Sequence, residues 1–208
     1  MVLNILLVIV AYLLGSIPSA VWIGKKYYGV DVREHGSKNA GATNTLRVLG
    51  KKAALPVFLV DFFKGFVAVE LGFFSTYYFD GNTEALFYYK LALSVAVVVG
   101  HMLPVFAGFK GGKGVATTAG LMLALQPFPL LLSLVTFVIV FIITRYVSLS
   151  SIIGAAFFPI YIAFVFHGAT NEIVFGAVVA ILLIFTHRKN IKRLAHGTES
   201  KTTFKSHQ

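Results

Sequence analysis

The sequence predicts an all-α integral membrane protein: a bundle of about seven transmembrane helices, the fourth short or partial, with the N-terminus outside and the C-terminus cytoplasmic. Three observations lead there. Hydrophobic residues make up 57% of the 208-residue chain and charged ones 12%, with a mean hydropathy of +0.82, far from the balance of a water-soluble domain. The apolar residues fall in long runs, and a helix needs roughly 20 of them to cross a hydrocarbon core of about 30 Å. Basic residues collect at alternate ends of those runs, as they do on the cytoplasmic side of a bilayer.

The first run, 2–24, has no Lys or Arg before it and no small-residue cleavage site followed by a mature soluble sequence. It therefore reads as a retained helix, not a signal peptide. Further spans are predicted over 53–78, 86–106, 114–125, 128–145, 148–166 and 173–186 from their apolar content. The fourth ends at Gln126–Pro127. Because proline marks a break, six full spans and one half-helix within the bundle is the alternative.

Lys25, Lys26, Arg33, Lys38, Arg47, Lys51 and Lys52 follow the first span, against Asp80, Glu84 and Lys90 after the second. The first face is thus predicted to be cytoplasmic. With seven spans, Lys110 and Lys113, then Arg145, then Arg188, Lys189, Lys192 and Arg193 return to it. Of the 18 basic residues only Lys64 and Lys90 then lie elsewhere, which supports the odd count. The chain reads as a single transmembrane domain over 1–208 without internal repeats, with a basic cytoplasmic tail from about 188. After about Gly197 the tail is polar without an apolar period, the composition of a disordered segment.

A formal charge of +10 in such a chain reports orientation and anionic membrane lipids. No basic module interleaved with aromatics is present, so no nucleic-acid partner is expected. Cysteine is absent, which removes disulfides, a thiolate nucleophile and thiolate metal sites.

Two polar clusters interrupt the apolar runs. The first, 33–47, reads REHGSKNAGATNTLR. Gly36, Ser37, Asn39, Gly41, Thr43 and Asn44 allow tight turns that aim N–H, hydroxyl and amide donors at an anion. Arg33 and Arg47 can add forked bonds to phosphate oxygens. An ordinary connecting loop uses the same residue types, but this polar run is longer than a turn needs. The second cluster, 108–117, reads GFKGGKGVAT. It fails the nucleotide-binding pattern GxxxxGK[ST]: it is one residue short, and Gly114 replaces the magnesium-binding hydroxyl. Glycines, Lys110, Lys113 and a following helix N-terminus remain, which suits phosphate without a nucleotide. A flexible positively charged loop would have the same composition.

Asp61 and Lys64, three apart within the second span, are expected to pair on one helix face. His101 closes the third span, where a packed histidine and a catalytic one are both open. His187 and the basic residues after it suit a membrane-anchoring end; Asn190 and Glu199 are less easily explained that way. Asp61, Lys64 and Glu70 with a broken fourth segment also suit a transporter for an organic anion. The missing repeat and the crowding of polar clusters onto one face count against it. A nonenzymatic lipid-binding scaffold leaves two glycine clusters unexplained.

Several motifs together resemble the bacterial acyl-phosphate:glycerol-3-phosphate acyltransferase family, often called PlsY. They are GSIPS at 15–19, the loop Gly36-Ser37-x-Asn39-x-Gly41-Ala42-Thr43-Asn44-x-x-Arg47, Gly50-Lys51, and Asp61-x-x-Lys64-Gly65. Then come Gly100-His101-x-x-Pro104, the run from Gly108 to Thr117, Arg145-x-x-Ser148 and Asn190-Ile191-x-Arg193-Leu194. Lys38 departs from the pattern, since many members have glycine there, and its side chain argues against a left-handed backbone.

The resemblance implies transfer of a fatty acyl group from acyl phosphate to the 1-hydroxyl of glycerol 3-phosphate. A seven-helix bundle would carry the site on its cytoplasmic face, with no coenzyme A, acyl carrier protein, metal, nucleotide or other cofactor. It further implies a soluble partner, the enzyme that makes acyl phosphate. The chain has no His-x4-Asp pair, the acid/base motif of another large glycerolipid acyltransferase class. Ser37, Arg47, Lys110 and His101 are then the expected catalytic residues. The expected substrate contacts are Gly36, Asn39, Gly41, Thr43, Asn44, Lys51, Asp61, Lys64, Gly111, Gly112, Lys113, Gly114 and Thr117, and later in the chain Arg145, Ser148, His187, Asn190 and Glu199.

Overall fold

The structure, a computed structural model, describes residues 1–202, and every regular element among them is helical. The last part of the expected tail, 203–208, lies outside the described residues. The chain divides into two compact units, Met1–Leu125 and Gln126–Gln208.

The first unit contains α1 (Val2–Gly15), α2 (Ser19–Tyr28), α3 (Ala42–Leu49), α4 (Lys51–Glu70), α5 (Thr76–Phe79), α6 (Thr83–Met102) and α7 (Val115–Leu125). The expected first span is not one helix: α1 and α2 meet at 43°. Pro18, the residue before α2, lacks an N–H and disfavours helical geometry at Ile17. The expected second span ends as α-helix at Glu70, then passes through a 3-10 turn into α5. Ser75 makes that junction, its Oγ donating to Gly72 O and accepting from Tyr78 N–H. Asn82 starts α6 by accepting from Ala85 N–H through its side chain.

Small residues set the helix spacing. A Cβ on Gly65 would collide with the Thr117 carbonyl, and one on Gly120 with the Phe62 carbonyl, so α4 and α7 touch backbone to backbone. Gly15 and Gly100 do the same for α1 and α6. In lipid, where apolar burial does not drive helices together, such close van der Waals packing does. The two glycine-bearing loops emerge at one end of this unit. At the other, Asn4 Nδ2 donates to Thr76 Oγ1 at 2.9 Å and Tyr89 OH to Asn4 O at 2.6 Å.

The second unit contains α8 (Pro127–Thr144), α9 (Val147–Phe164), α10 (Thr170–Thr186) and α11 (Arg188–Ala195). Gln126 Nε2 donates to Glu172 Oε1 at 2.7 Å, while Glu172 Oε2 accepts the Ala169 N–H at the start of α10. Only Pro129, Leu130 and Ser133 of α8 are buried, and Leu131, Val135, Ile139, Ile142 and Ile143 are more than half exposed. A face of that composition is solvated by lipid. Residues 198–202 depart from the expected disorder. Thr198 N–H donates to Arg193 O and Thr202 N–H to Arg145 O, both at 2.9 Å.

Thr83–Ala107, Pro127–Thr144 and Val147–Phe164 are each long and apolar enough to cross a bilayer, as are α1 with α2 and α10 with α11 if each bent pair is one span. Helix α4 has 20 residues but carries Lys51, Lys52, Asp61, Lys64 and Glu70, and α7 has 11 residues. The protein is thus an all-α, multi-pass membrane protein.

Candidate functional site

The first loop is anchored at its root by Val32, fully buried against Ala20 and Val57 with Ile23, Ala42 and Leu49 around them. Asn44 then holds the loop in shape. Its Nδ2 donates to Val32 O at 2.7 Å and to His35 O at 3.1 Å, and its Oδ1 accepts the Ser37 N–H at 2.8 Å. The amide expected to meet substrate is therefore engaged with the loop's own backbone. Gly36 and Lys38 are both left-handed, at φ 58°. Lys38 thus adopts the conformation its side chain disfavours, because the Asn44 bonds and Lys38 N–H to His35 O at 3.0 Å close the loop around it. Ser37 and, in the last turn of α3, Arg47 are exposed; Asn39, Gly41 and Thr43 are half-buried beside them. Lys51 is exposed at the start of α4.

Arg33 does not stand open for phosphate. Its Nε and Nη2 donate to Asp31 Oδ1 at 3.0 Å and Oδ2 at 2.8 Å, and its Nη1 to Ala107 O at 2.9 Å. Lys25 Nζ lies 3.2 Å from Asp31 Oδ2. The Arg33 bonds hold the Asp31 carboxyl well below the usual carboxylate range, and Asp31 in turn raises the guanidinium. Sequence reasoning passed over Asp31; its signal was the acid two residues before Arg33.

The second loop folds back on the end of α6. Gly111 N–H donates to Met102 O and Gly112 N–H to His101 O, both at 3.2 Å. A Cβ at Gly111 would collide with the His101 carbonyl, and one at Gly112 with His101 Nε2 and the Ala40 carbonyl. These glycines, read from sequence as room for phosphate, serve the packing of the loop onto α6 and onto the first loop. Lys110 is exposed and Lys113 half-buried. Gly114, at φ 82°, leads into α7, whose first bond is Thr118 N–H to Gly114 O at 2.7 Å. The amides of that first turn point toward the loop.

A buried polar network lies under the two loops. Asp61 Oδ1 receives Ser19 Oγ at 2.8 Å and Lys64 Nζ at 2.7 Å, and Lys64 also donates to Ile17 O at 2.9 Å. The expected Asp61–Lys64 pair is present, with side chains 2% and 4% exposed. His101 Nδ1 lies 3.1 Å from Thr117 Oγ1 and 3.7 Å from Asp61 Oδ1. Its other ring nitrogen faces Gly112. Asp61, Lys64, His101 and Thr117 thus come together, but beneath the second loop.

In the second unit, Glu199 Oε1 accepts from Ser148 Oγ at 2.9 Å and Asn190 Nδ2 at 2.7 Å, and its Oε2 from Arg193 Nε at 2.6 Å. Burial pushes this carboxyl up, but the three bonds outweigh it and its pKa is lowered. His187 is buried with Nδ1 2.8 Å from Leu183 O, and Arg145 is exposed in a left-handed turn between α8 and α9. Among the described residues no group of three or more His, Asp or Glu side chains could hold a metal ion.

The family model for glycerol-3-phosphate acyltransferase matches residues 5–197. A glycerol-3-phosphate acyltransferase of Chlorobaculum tepidum is 42% identical over 95% of this chain and 96% of its own, and one of Listeria monocytogenes is 46% identical with the same coverage. The crystal structure of PlsY, an integral membrane glycerol 3-phosphate acyltransferase, in its glycerol 3-phosphate form superposes with a TM-score of 0.84 at 40% identity, covering 96% of both chains. Its lysophosphatidic acid form gives 0.82 at 39% identity, over 96% of this chain and 95% of that one.

Proposed function

The chain belongs to the glycerol-3-phosphate acyltransferase family, and from that premise we propose that it transfers a fatty acyl group from acyl phosphate to the 1-hydroxyl of sn-glycerol 3-phosphate. The products are lysophosphatidic acid and inorganic phosphate. The reading includes a bundle of about seven spans with the N-terminus outside and the site at the cytoplasmic face of a bacterial membrane. The observation that carries it is the meeting of the two loops at Ala40 and Gly112, with Ser37, Arg47 and Lys110 exposed on them. Two substrate phosphates require two anion sites side by side, and two such loops supply them.

In this mechanism the donor is its own base. The 1-hydroxyl oxygen attacks the acyl carbonyl carbon while a non-bridging phosphate oxygen of the donor takes the hydroxyl proton. The bond from carbonyl carbon to bridging oxygen then breaks, and phosphate leaves carrying that proton. Lys110 and Lys113 with Arg47 hold one substrate phosphate. The first loop, through Ser37, Asn39 and Thr43, holds the other. Ser37 serves as a hydrogen-bond donor to that phosphate and not as a nucleophile. Holding the reactants in line can lower the barrier by about 7–11 kcal/mol, and cations around the developing charge lower it further. Asn44, Asp61, Lys64, His101 and Thr117 frame the loops in this reading. The Glu199 cluster fixes the C-terminal segment in its own unit, and the basic residues meet anionic lipid and the soluble enzyme that makes acyl phosphate.

Purified protein in detergent, given acyl phosphate and labelled glycerol 3-phosphate, is expected to release lysophosphatidic acid and phosphate together. Turnover with acyl-coenzyme A but not acyl phosphate would overturn the donor assignment. Accumulation of a stable acyl-serine with acyl phosphate alone would overturn the substrate-assisted step, and full activity in Ser37→Ala would remove Ser37 from the site.

A further inference from the structure

Arg33 reaches from the first loop to Ala107, at the root of the second. Each of its three nitrogens is bonded: two to the Asp31 carboxylate and one to the Ala107 carbonyl. Surface ion pairs contribute little when they are monodentate and mobile. This pair is a bidentate fork, its carboxylate 8% and its guanidinium 23% exposed, with the Arg33 N–H also donating to Asp31 Oδ1 at 3.0 Å. Such planar two-point bonding fixes the guanidinium in direction as well as place.

Ala107 stands directly before Gly108 and Phe109, both left-handed at φ 62° and 58°. The direction in which the chain leaves Ala107 decides where Lys110, three residues on, places its ammonium group. Two successive left-handed residues, one carrying a side chain, are costly and persist where surrounding bonds over-determine them. The Phe109 and Gly111 N–H groups tie the turn to Pro104 and Met102 on its own side. Arg33 ties it to the first loop.

We infer that Arg33, held by Asp31, is a positioning residue that sets the second loop, and with it Lys110, against the first. The inference rests on the proposed function in taking Lys110 as a phosphate contact. Arg33 is accordingly a clasp between the two anion sites, not a ligand in either.

The test measures kcat and the KM of each substrate for Arg33→Gln, Asp31→Asn, Lys110→Met and the double variant Arg33→Gln/Lys110→Met. Arg33→Gln is expected to raise, about tenfold or more, the KM of whichever substrate Lys110→Met affects, the scale of losing one charge-assisted hydrogen bond. Asp31→Asn, which keeps the arginine and the side-chain volume, is expected to move the same KM in the same direction. The double variant should be no more than about twofold worse than Lys110→Met, because residues acting as one unit are non-additive. Multiplying effects, equal change in both KM values, or a lowered Tm with unchanged kinetics would each overturn the clasp. Should the wild type make no lysophosphatidic acid, the donor reading fails by itself. Calorimetric binding of inorganic phosphate then judges the clasp: it stands if Arg33→Gln and Lys110→Met weaken binding together and non-additively, and falls if they do not.

Discussion

Lys38 holds φ at 58° in a loop whose shape is imposed by Asn44 and by the turn to His35. A left-handed backbone costs a residue with a Cβ about 1–2 kcal/mol, part of which glycine returns as greater freedom in the unfolded chain. Lys38→Gly is therefore expected to stabilise the protein by about 0.5–1 kcal/mol, seen as a raised Tm in detergent; a lowered Tm would show that the loop does not store this strain. Glu199 is a second residue whose surroundings set its chemistry. Its depressed carboxyl contributes stability that is present above the ordinary value of 4.5 and is lost as pH falls through the lower folded value. Glu199→Gln should lower stability near neutral pH by about 1.5–3 kcal/mol, the range for hydrogen bonds to a charged group. It should also flatten the fall of Tm below pH 4.5, and an unchanged acid limb would contradict this assignment. Both roles lay beyond the sequence. Asn44, within a motif, and Glu199, unexplained by a basic membrane-anchoring end, were marked as polar residues in a site, but not whether their partners are substrate or chain.

Helix α4 carries Asp61 and Lys64 three apart, a spacing from which their pairing was legible. The partners from elsewhere were not. Ser19 comes from α2, and the Ile17 carbonyl accepts from Lys64 within the break between α1 and α2. That break supplies the pair with an acceptor that a continuous first helix would have kept within its own ladder. Asp61→Asn and Lys64→Met are each expected to cost about 3–5 kcal/mol by stranding the opposite charge, and the double variant less than their sum. Unfolding in graded denaturant measures all three. Additive losses would mean that the two charges do not compensate each other.

Over the whole chain, absence of cysteine makes topology directly measurable. Lys38 and Asp80 lie at opposite ends of the first unit, one beside the candidate site and the other beyond α5. In right-side-out vesicles, Asp80→Cys is expected to react with a membrane-impermeant maleimide and Lys38→Cys only after permeabilisation. The reverse pattern would invert the proposed orientation. The eleven residues of α7 illustrate what length can and cannot convey. Its shortness was readable from the Gln126–Pro127 break, while its contact with α4 through Gly65 and Gly120 required the fold.

The sequence by itself determined the solvent, the helical class and the family, because hydropathy, run length and ordered motifs are local properties of the chain. It also placed the two polar clusters and the residues within them. Tertiary structure decided which of those residues face outward and which hold the loops. Asn44, Gly111 and Gly112 direct their amide N–H groups to backbone carbonyls, and Arg33 directs its guanidinium to Asp31 and Ala107, leaving Ser37, Arg47 and Lys110 exposed. The physical reason is that a polar group satisfies itself with the nearest properly aligned partner. Which partner is nearest depends on helices brought together from distant parts of the chain.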